Sequence, residues 1–161
     1  MDREELTEAV EKYRDTVFRI AYGYTGSFED SEDISQDVFL KLFKSNKRFV
    51  DEEHKKAWLI RVAINASKSA LRSSWRQKRA DMPPESVPYY SDVQDRELFD
   101  CVMRLPPKYR AAVYLYYYED YPVTDVARLM GISRTAVTTR LARAREQLKR
   151  TFAKEEMVYE R

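Results

Sequence analysis

The chain has 161 residues, 43% hydrophobic and 35% charged with a formal net charge of +2, which is a globular composition and excludes a disordered one. It has no run of 18 apolar residues to span a bilayer, and its charged start, Met1-Asp2-Arg3-Glu4-Glu5, lacks the apolar core of a signal peptide. A single cysteine, Cys101, excludes an internal disulfide and fits a reducing cytoplasm, while a single histidine, His54, leaves zinc sites and histidine-based triads without their usual members, so no metal or cofactor is expected.

With three glycines and few alternating β-branched runs, the chain reads as all-α. Apolar residues at three- and four-residue steps predict a first helix over 5–24, with Leu6, Val10, Tyr13, Val17, Ile20, Ala21 and Tyr24 on one stripe. Thr25-Gly26-Ser27 ends it. Ser31 is a candidate cap for a second helix that buries Ile34, Val38, Phe39, Leu42 and Phe43. Residues 45–53 read as a polar loop interrupted by Phe49 and Val50. A third helix, about 55–76, buries Leu59, Val62, Ala63, Ala66 and Ala70.

Met82-Pro83-Pro84-Glu85-Ser86-Val87-Pro88 holds three prolines in seven residues, which no helix continues through, and predicts an extended tether. The expected organisation is therefore two small helical domains, 1–79 and 96–161, joined by a Pro-containing linker, 80–95, with the second ending in a helix-turn-helix. Periodicity resumes near Asp95. Leu98, Cys101, Val102 and Leu105 form one helix, in which Cys101 is a buried structural thiol, and Pro106-Pro107 stops it. Residues 110–118 form the next, with Tyr114, Leu115, Tyr117 and Tyr118 read mainly as core, closed by Tyr121-Pro122. Two helices follow, 123–130 and about 134–154, on either side of Gly131-Ile132-Ser133.

That last pair carries the strongest local motif. Ala127 is small where two helices cross, Gly131 allows positive φ at the turn, Ile132 and Val137 fill the wedge, and Ser133 caps the second helix. Arg134, Thr138, Thr139, Arg140 and Arg143 then point outward, the layout of a recognition helix that sets its N-terminal half at base edges and its cations near phosphates. A helical hairpin with a basic exposed face is the plainer alternative.

Charge is unevenly distributed. Between Ser27 and Leu40 there are five acids (Glu29, Asp30, Glu32, Asp33, Asp37) and no base; between Lys55 and Arg79 there are eight bases (Lys55, Lys56, Arg61, Lys68, Arg72, Arg76, Lys78, Arg79) and no acid. Asp33, Gln36 and Asp37 share one helix face, either a solvated surface or a surface made for a basic protein. Arg61, Asn65, Lys68 and Arg72 form a polar stripe opposite the buried one, with Phe49, His54, Trp58 and Trp75 nearby. Aromatics interleaved with cations suit single-stranded DNA, whose bases stack on rings, although Trp58 is equally read as core.

Asp33-x-x-Gln36-Asp37-Val38-Phe39, followed by Trp58-Leu59-Ile60-Arg61-Val62-Ala63-x-Asn65, resembles region 2 of extracytoplasmic-function (ECF) sigma factors. Leu105-Pro106-x-x-x-Arg110, Val126-Ala127-x-x-Met130-Gly131-Ile132-Ser133 and Val137-x-x-Arg140-Leu141-x-Arg143-Ala144-Arg145 resemble their region 4, so the likeness covers about residues 6–152. The resemblance implies a non-enzymatic initiation factor whose partners are core RNA polymerase, promoter DNA and an anti-sigma factor. Asp33, Gln36, Asp37 and Phe39 would dock on the β′ clamp helices, and the second domain would meet the β flap. The 47–56 loop with His54, Lys56, Arg61, Asn65, Lys68, Arg72 and Arg76 would capture and melt the −10 element. Ser133, Arg134, Thr135, Thr138, Thr139, Arg140 and Arg143 would read the −35 element, and the tether would thread toward the RNA exit path. Ser69 stands where the family often carries Asp, and Thr138 where many members are basic, so the −35 sequence preference does not follow from the likeness. Two other classes compete: a repressor or activator with an N-terminal sensor, whose first half should show a ligand pocket or a dimer helix, and a small nuclease, which needs a carboxylate cluster with a metal or general base.

Overall fold

The computed structural model describes residues 1–72 and 96–159. Every regular element among them is helical, and the chain divides into two compact units, 1–82 and 83–161.

In the first unit, α1 (Arg3–Thr25), α2 (Phe28–Lys44) and α3 (Glu52–Leu71) each pack against the other two. Asp2 starts α1 with a capping box: its Oδ1 accepts the Glu5 N–H at 2.8 Å and Glu5 Oε2 accepts the Asp2 N–H at 3.1 Å. Gly26, at φ 64°, ends α1 in the left-handed region, which only a residue without Cβ enters at low cost. That one-residue reversal lets α2 begin sooner than the apolar periodicity indicates. Its cap is Ser27, which accepts the Asp30 N–H at 3.2 Å, and not Ser31, which is fully buried and donates its hydroxyl to the Ser27 carbonyl at 2.6 Å.

The core is Val17 and Ala21 of α1, Val38 and Leu42 of α2, and Leu59, Ile60, Ala63 and Ile64 of α3. Two details differ from the sequence reading. Phe43 is exposed, and α3 buries Ile60, Ile64 and Ser67 while Val62 and Ala66 are half-buried. Because α3 meets α1 and α2 together, its buried face is turned part of the way round toward Ile60 and Ile64. It also begins at Glu52, capped by Asp51, whose Oδ1 accepts the His54 N–H at 2.8 Å; Asp51-Glu52-Glu53 is a cap and an acidic first turn rather than loop. The predicted continuation of α3 to 76 and the tether fall outside the described residues.

The second unit contains α4 (Arg96–Met103), α5 (Pro107–Val113), a π-turn over Tyr114–Tyr118, α6 (Val123–Met130) and α7 (Arg134–Tyr159). The proline pair does two jobs. It ends α4, and Pro107 opens α5 at its first helical position, where the missing N–H costs nothing. Arg110 ties the two together by donating to the Met103 carbonyl at 2.8 Å. Cys101 is buried as expected, as are Phe99 and Leu105. The tyrosine run does not pack as the sequence suggested. Tyr114 and Leu115 are buried, but the π-turn, closed by Glu119 N–H to the Tyr114 carbonyl at 3.1 Å, adds a residue to the turn and carries Tyr117 and Tyr118 to the surface.

Candidate DNA and polymerase interfaces

The turn between α6 and α7 is built by backbone capping. Gly131 sits at φ 68°, its N–H reaches the Arg128 carbonyl at 3.3 Å, and the Ile132 N–H reaches the Ala127 carbonyl at 3.0 Å. Ser133 Oγ then accepts the Ala136 N–H at 3.0 Å, starting α7. Val126, Val137, Leu141 and Ala144 are buried beneath, with Ala127 at the crossing, and Ile132 is half-buried. Arg134, Thr135, Thr138, Thr139 and Arg143 are exposed and Arg140 half-exposed, so the six share the outer side of α7. Thr138 turns its hydroxyl back to the Thr135 carbonyl at 2.9 Å.

Two residues absent from the sequence reading join this surface. Tyr109 and Lys108 come from α5, which packs on α7, and the Lys108 ammonium lies 5.5 Å from the Tyr109 ring centre. A hydrogen bond from Arg143 holds the Tyr109 hydroxyl below its ordinary pKa of 10.0; slight burial opposes this, and the charges of Arg143, Lys108 and Arg140 reinforce it. The α5 residues Lys108 and Tyr109 thus lie beside the Arg140 and Arg143 cations of α7. No sequence spacing reveals a contact across this separation.

On α3, His54, Trp58, Arg61, Asn65, Lys68 and Arg72 follow one another at steps of four, three, four, three and four, a single row along the helix. Arg61, Asn65 and Arg72 are exposed, Trp58 and Lys68 half-buried. At the head of the row the Phe49 ring meets His54 edge-on at 5.3 Å and Trp58 at 5.8 Å, with Lys47 over the Trp58 ring at 5.8 Å. Trp58 is therefore shared between the domain wall and this aromatic cluster. Lys56 lies two residues beyond His54, on another side of α3, and the row does not include it. Arg76 falls outside the described residues.

On α2, Asp33, Gln36 and Asp37 are exposed on one face. Phe39 is not on it: at 7% exposure it belongs to the core, so a docking role for its side chain is corrected. Leu40 and Phe43, at 49% and 44% exposure, extend the acidic face instead. Apolar identity hid them in the sequence, although Asp33, Gln36, Asp37 and Leu40 are spaced as one face. Among the described residues no group of His, Cys, Asp and Glu could hold a metal ion, and no helix is long and apolar enough to cross a membrane.

The chain thus pairs a three-helix unit bearing one acidic and one basic face with a second unit carrying a capped helix-turn-helix. Residues 9–77 match the family described as Sigma-70 region 2 and residues 95–148 that described as Sigma-70, region 4. The chain is 28% identical over 159 residues to the ECF RNA polymerase sigma factor SigE of Mycolicibacterium smegmatis, covering 91% of this chain and 61% of that one. It is 24% identical to the ECF RNA polymerase sigma factor SigW of Bacillus subtilis, covering 92% and 89%. In fold it is similar to the sigma factor RpoE of Bartonella quintana, with a TM-score of 0.73 and 19% identity over 93% of this chain and 98% of that one. The chain belongs to the ECF sigma factors. It is an initiation factor that directs RNA polymerase to promoters, and it is not an enzyme.

Proposed function

We propose a division of labour within this sigma factor. Residues 1–79 dock core polymerase and handle the −10 element, residues 80–95 tether, and residues 96–161 read the −35 element. The exposed face of α2 (Asp33, Gln36, Asp37, with Leu40 and Phe43) takes the basic β′ clamp helices, acid meeting base around an apolar centre. On α3, Arg61, Lys68 and Arg72 hold phosphates of the displaced strand, Asn65 offers its amide to a base edge, and Phe49, His54 and Trp58 supply stacking rings. Arg134, Thr135, Thr138, Thr139, Arg140 and Arg143 enter a major groove, with Lys108 and Tyr109 of α5 beside the last two. The second unit also meets the β flap, and the factor works in the cytoplasm with the polymerase.

The observation that carries this reading is the unbroken α3 row leading from an aromatic cluster, a surface suited to a single strand, on a different unit from a helix suited to a duplex. Among solved structures of like fold, the sigma factor RpoE is held in complex with the anti-sigma factor NepR, and CnrH is in complex with the cytosolic domain of CnrY. We extend that mode of control to this chain, with an anti-sigma factor covering the same faces.

The test is transcription by holoenzyme on promoters substituted in one element at a time. Asn65→Ala should flatten the ranking of −10 variants and reduce strand opening, leaving the ranking of −35 variants intact. Arg134→Ala should do the reverse, since an Arg–base pair is worth about 1–3 kcal/mol, roughly 5- to 150-fold in discrimination. Equal losses on every promoter would refute the division.

A further inference from the structure

We infer that Tyr13 and Glu52 form a latch that sets the posture of the 45–51 loop and so the presentation of Phe49, Val50 and His54 to the −10 strand; this rests on the reading of the α3 row as the −10 surface. Glu52 is the first residue of α3, directly after its cap. Its Oε2 accepts the Tyr13 hydroxyl at 2.5 Å and lies 3.4 Å from the Lys12 ammonium, while its Oε1 lies 3.5 Å from Lys55. The same hydroxyl is 3.4 Å from the Glu52 carbonyl oxygen.

Tyr13 is 5% exposed, its ring fixed in the wall of α1, so the hydroxyl is a stationary post rather than a mobile surface group. Hydrogen bonds then fix the chain on either side of Glu52. His54 Nδ1 accepts the Val50 N–H at 3.1 Å, and Asp51 Oδ1 accepts the His54 N–H. Residues 50–54 are held at successive positions, and Phe49 is the next residue out, its ring against His54 and Trp58. Val50, at 88% exposure, is an apolar side chain offered to solvent at the edge of this cluster.

The latch also closes one side of a cavity of about 840 Å³ between α1 and the loop, lined by Glu8, Lys12, Tyr13, Lys47, Phe49 and Glu52 among others. Across this space the Tyr13 hydroxyl and the Lys12 ammonium of α1 both reach the Glu52 carboxylate, and the hydroxyl makes the shorter contact. The Glu52 carboxyl accordingly titrates below its ordinary value, chiefly through the Tyr13 hydrogen bond, against slight burial and with help from Lys55 and Lys12. A hydrogen bond to a charged acceptor is the stronger kind, and it is directional enough to set a loop.

Tyr13→Phe removes the hydroxyl and keeps the ring. In holoenzyme transcription, Tyr13→Phe should flatten the discrimination among −10 variants several-fold, with polymerase binding and the ranking of −35 variants unchanged and the thermal midpoint of the free chain only slightly lowered. Glu52→Gln retains an acceptor and should fall between Tyr13→Phe and wild type, and Tyr13→Phe with Glu52→Ala should be no worse than Glu52→Ala alone. Wild-type −10 discrimination by Tyr13→Phe, or a loss spread evenly over both elements, overturns the latch. Trp58→Ala separates the two levels. If Trp58→Ala flattens −10 discrimination and Tyr13→Phe does not, the latch alone fails; if neither does, the −10 reading fails and takes the latch with it.

Discussion

Replacing Ser133 by alanine tests whether the recognition helix works because its first turn is pre-formed. Ser133 Oγ makes one cap bond, to the Ala136 N–H at 3.0 Å, and no acidic residue in the first turn of α7 assists it. Loss of such a cap costs about 1 kcal/mol. Arg134 and Thr135 lie within that turn, so a frayed turn must be re-formed on DNA, and the same energy appears as roughly a five-fold loss of −35-dependent promoter binding. Asparagine caps about as well as serine and adds no charge, so Ser133→Asn should restore both quantities, whereas Ser133→Asp should restore stability while repelling phosphate. Thermal unfolding of the chain and holoenzyme binding to −35 variants would be measured on all three. If Ser133→Asn recovers stability but not promoter binding, the hydroxyl acts on DNA directly and the capping argument is refuted.

Two further outcomes follow from the first unit. Gln36→Lys with Asp37→Lys should weaken association with core polymerase at least ten-fold in a pull-down or titration, yet change the unfolding midpoint little, because exposed substitutions seldom exceed about 0.5 kcal/mol; co-purification at the wild-type level would make α2 a merely solvated face. Glu52 predicts a pH effect of fixed sign. Its carboxyl is depressed below 4.5, so the stability it contributes is present above that unfolded value and lost as pH falls through the lower folded one. Below about pH 4.5 the wild-type midpoint should therefore fall more steeply than that of Glu52→Gln, and near neutral pH the two should run parallel.

Much of the fold was legible because helices announce themselves through spacing. The Gly131 turn, the Ser133 cap and the buried Val137 follow from residue type and register alone, and the structure agrees at each, while Ile132 beside them is half-buried. What failed were positions decided by neighbours. Phe39 and Phe43 are both phenylalanine, and only the packing of α2 on α1 and α3 buries the first and exposes the second. Tyr117 and Tyr118 have the spacing of core residues in a regular helix, but the π-turn changes the period beneath them. Lys56 was grouped with the α3 cations by charge, whereas helical geometry sets it off their row. The Tyr13–Glu52 and Tyr109–Arg143 pairs join residues far apart in the chain, which single-sequence periodicity does not register.

Run-off transcription with purified core RNA polymerase, with and without this chain, tests the central claim most directly. The chain should convert random initiation into discrete start sites while the free chain binds the same duplex poorly, since a few phosphate contacts leave Kd at roughly 10⁻⁴ to 10⁻⁶ M in physiological salt. Tight sequence-specific footprinting by the free chain, with no change in the start sites used by polymerase, would contradict it.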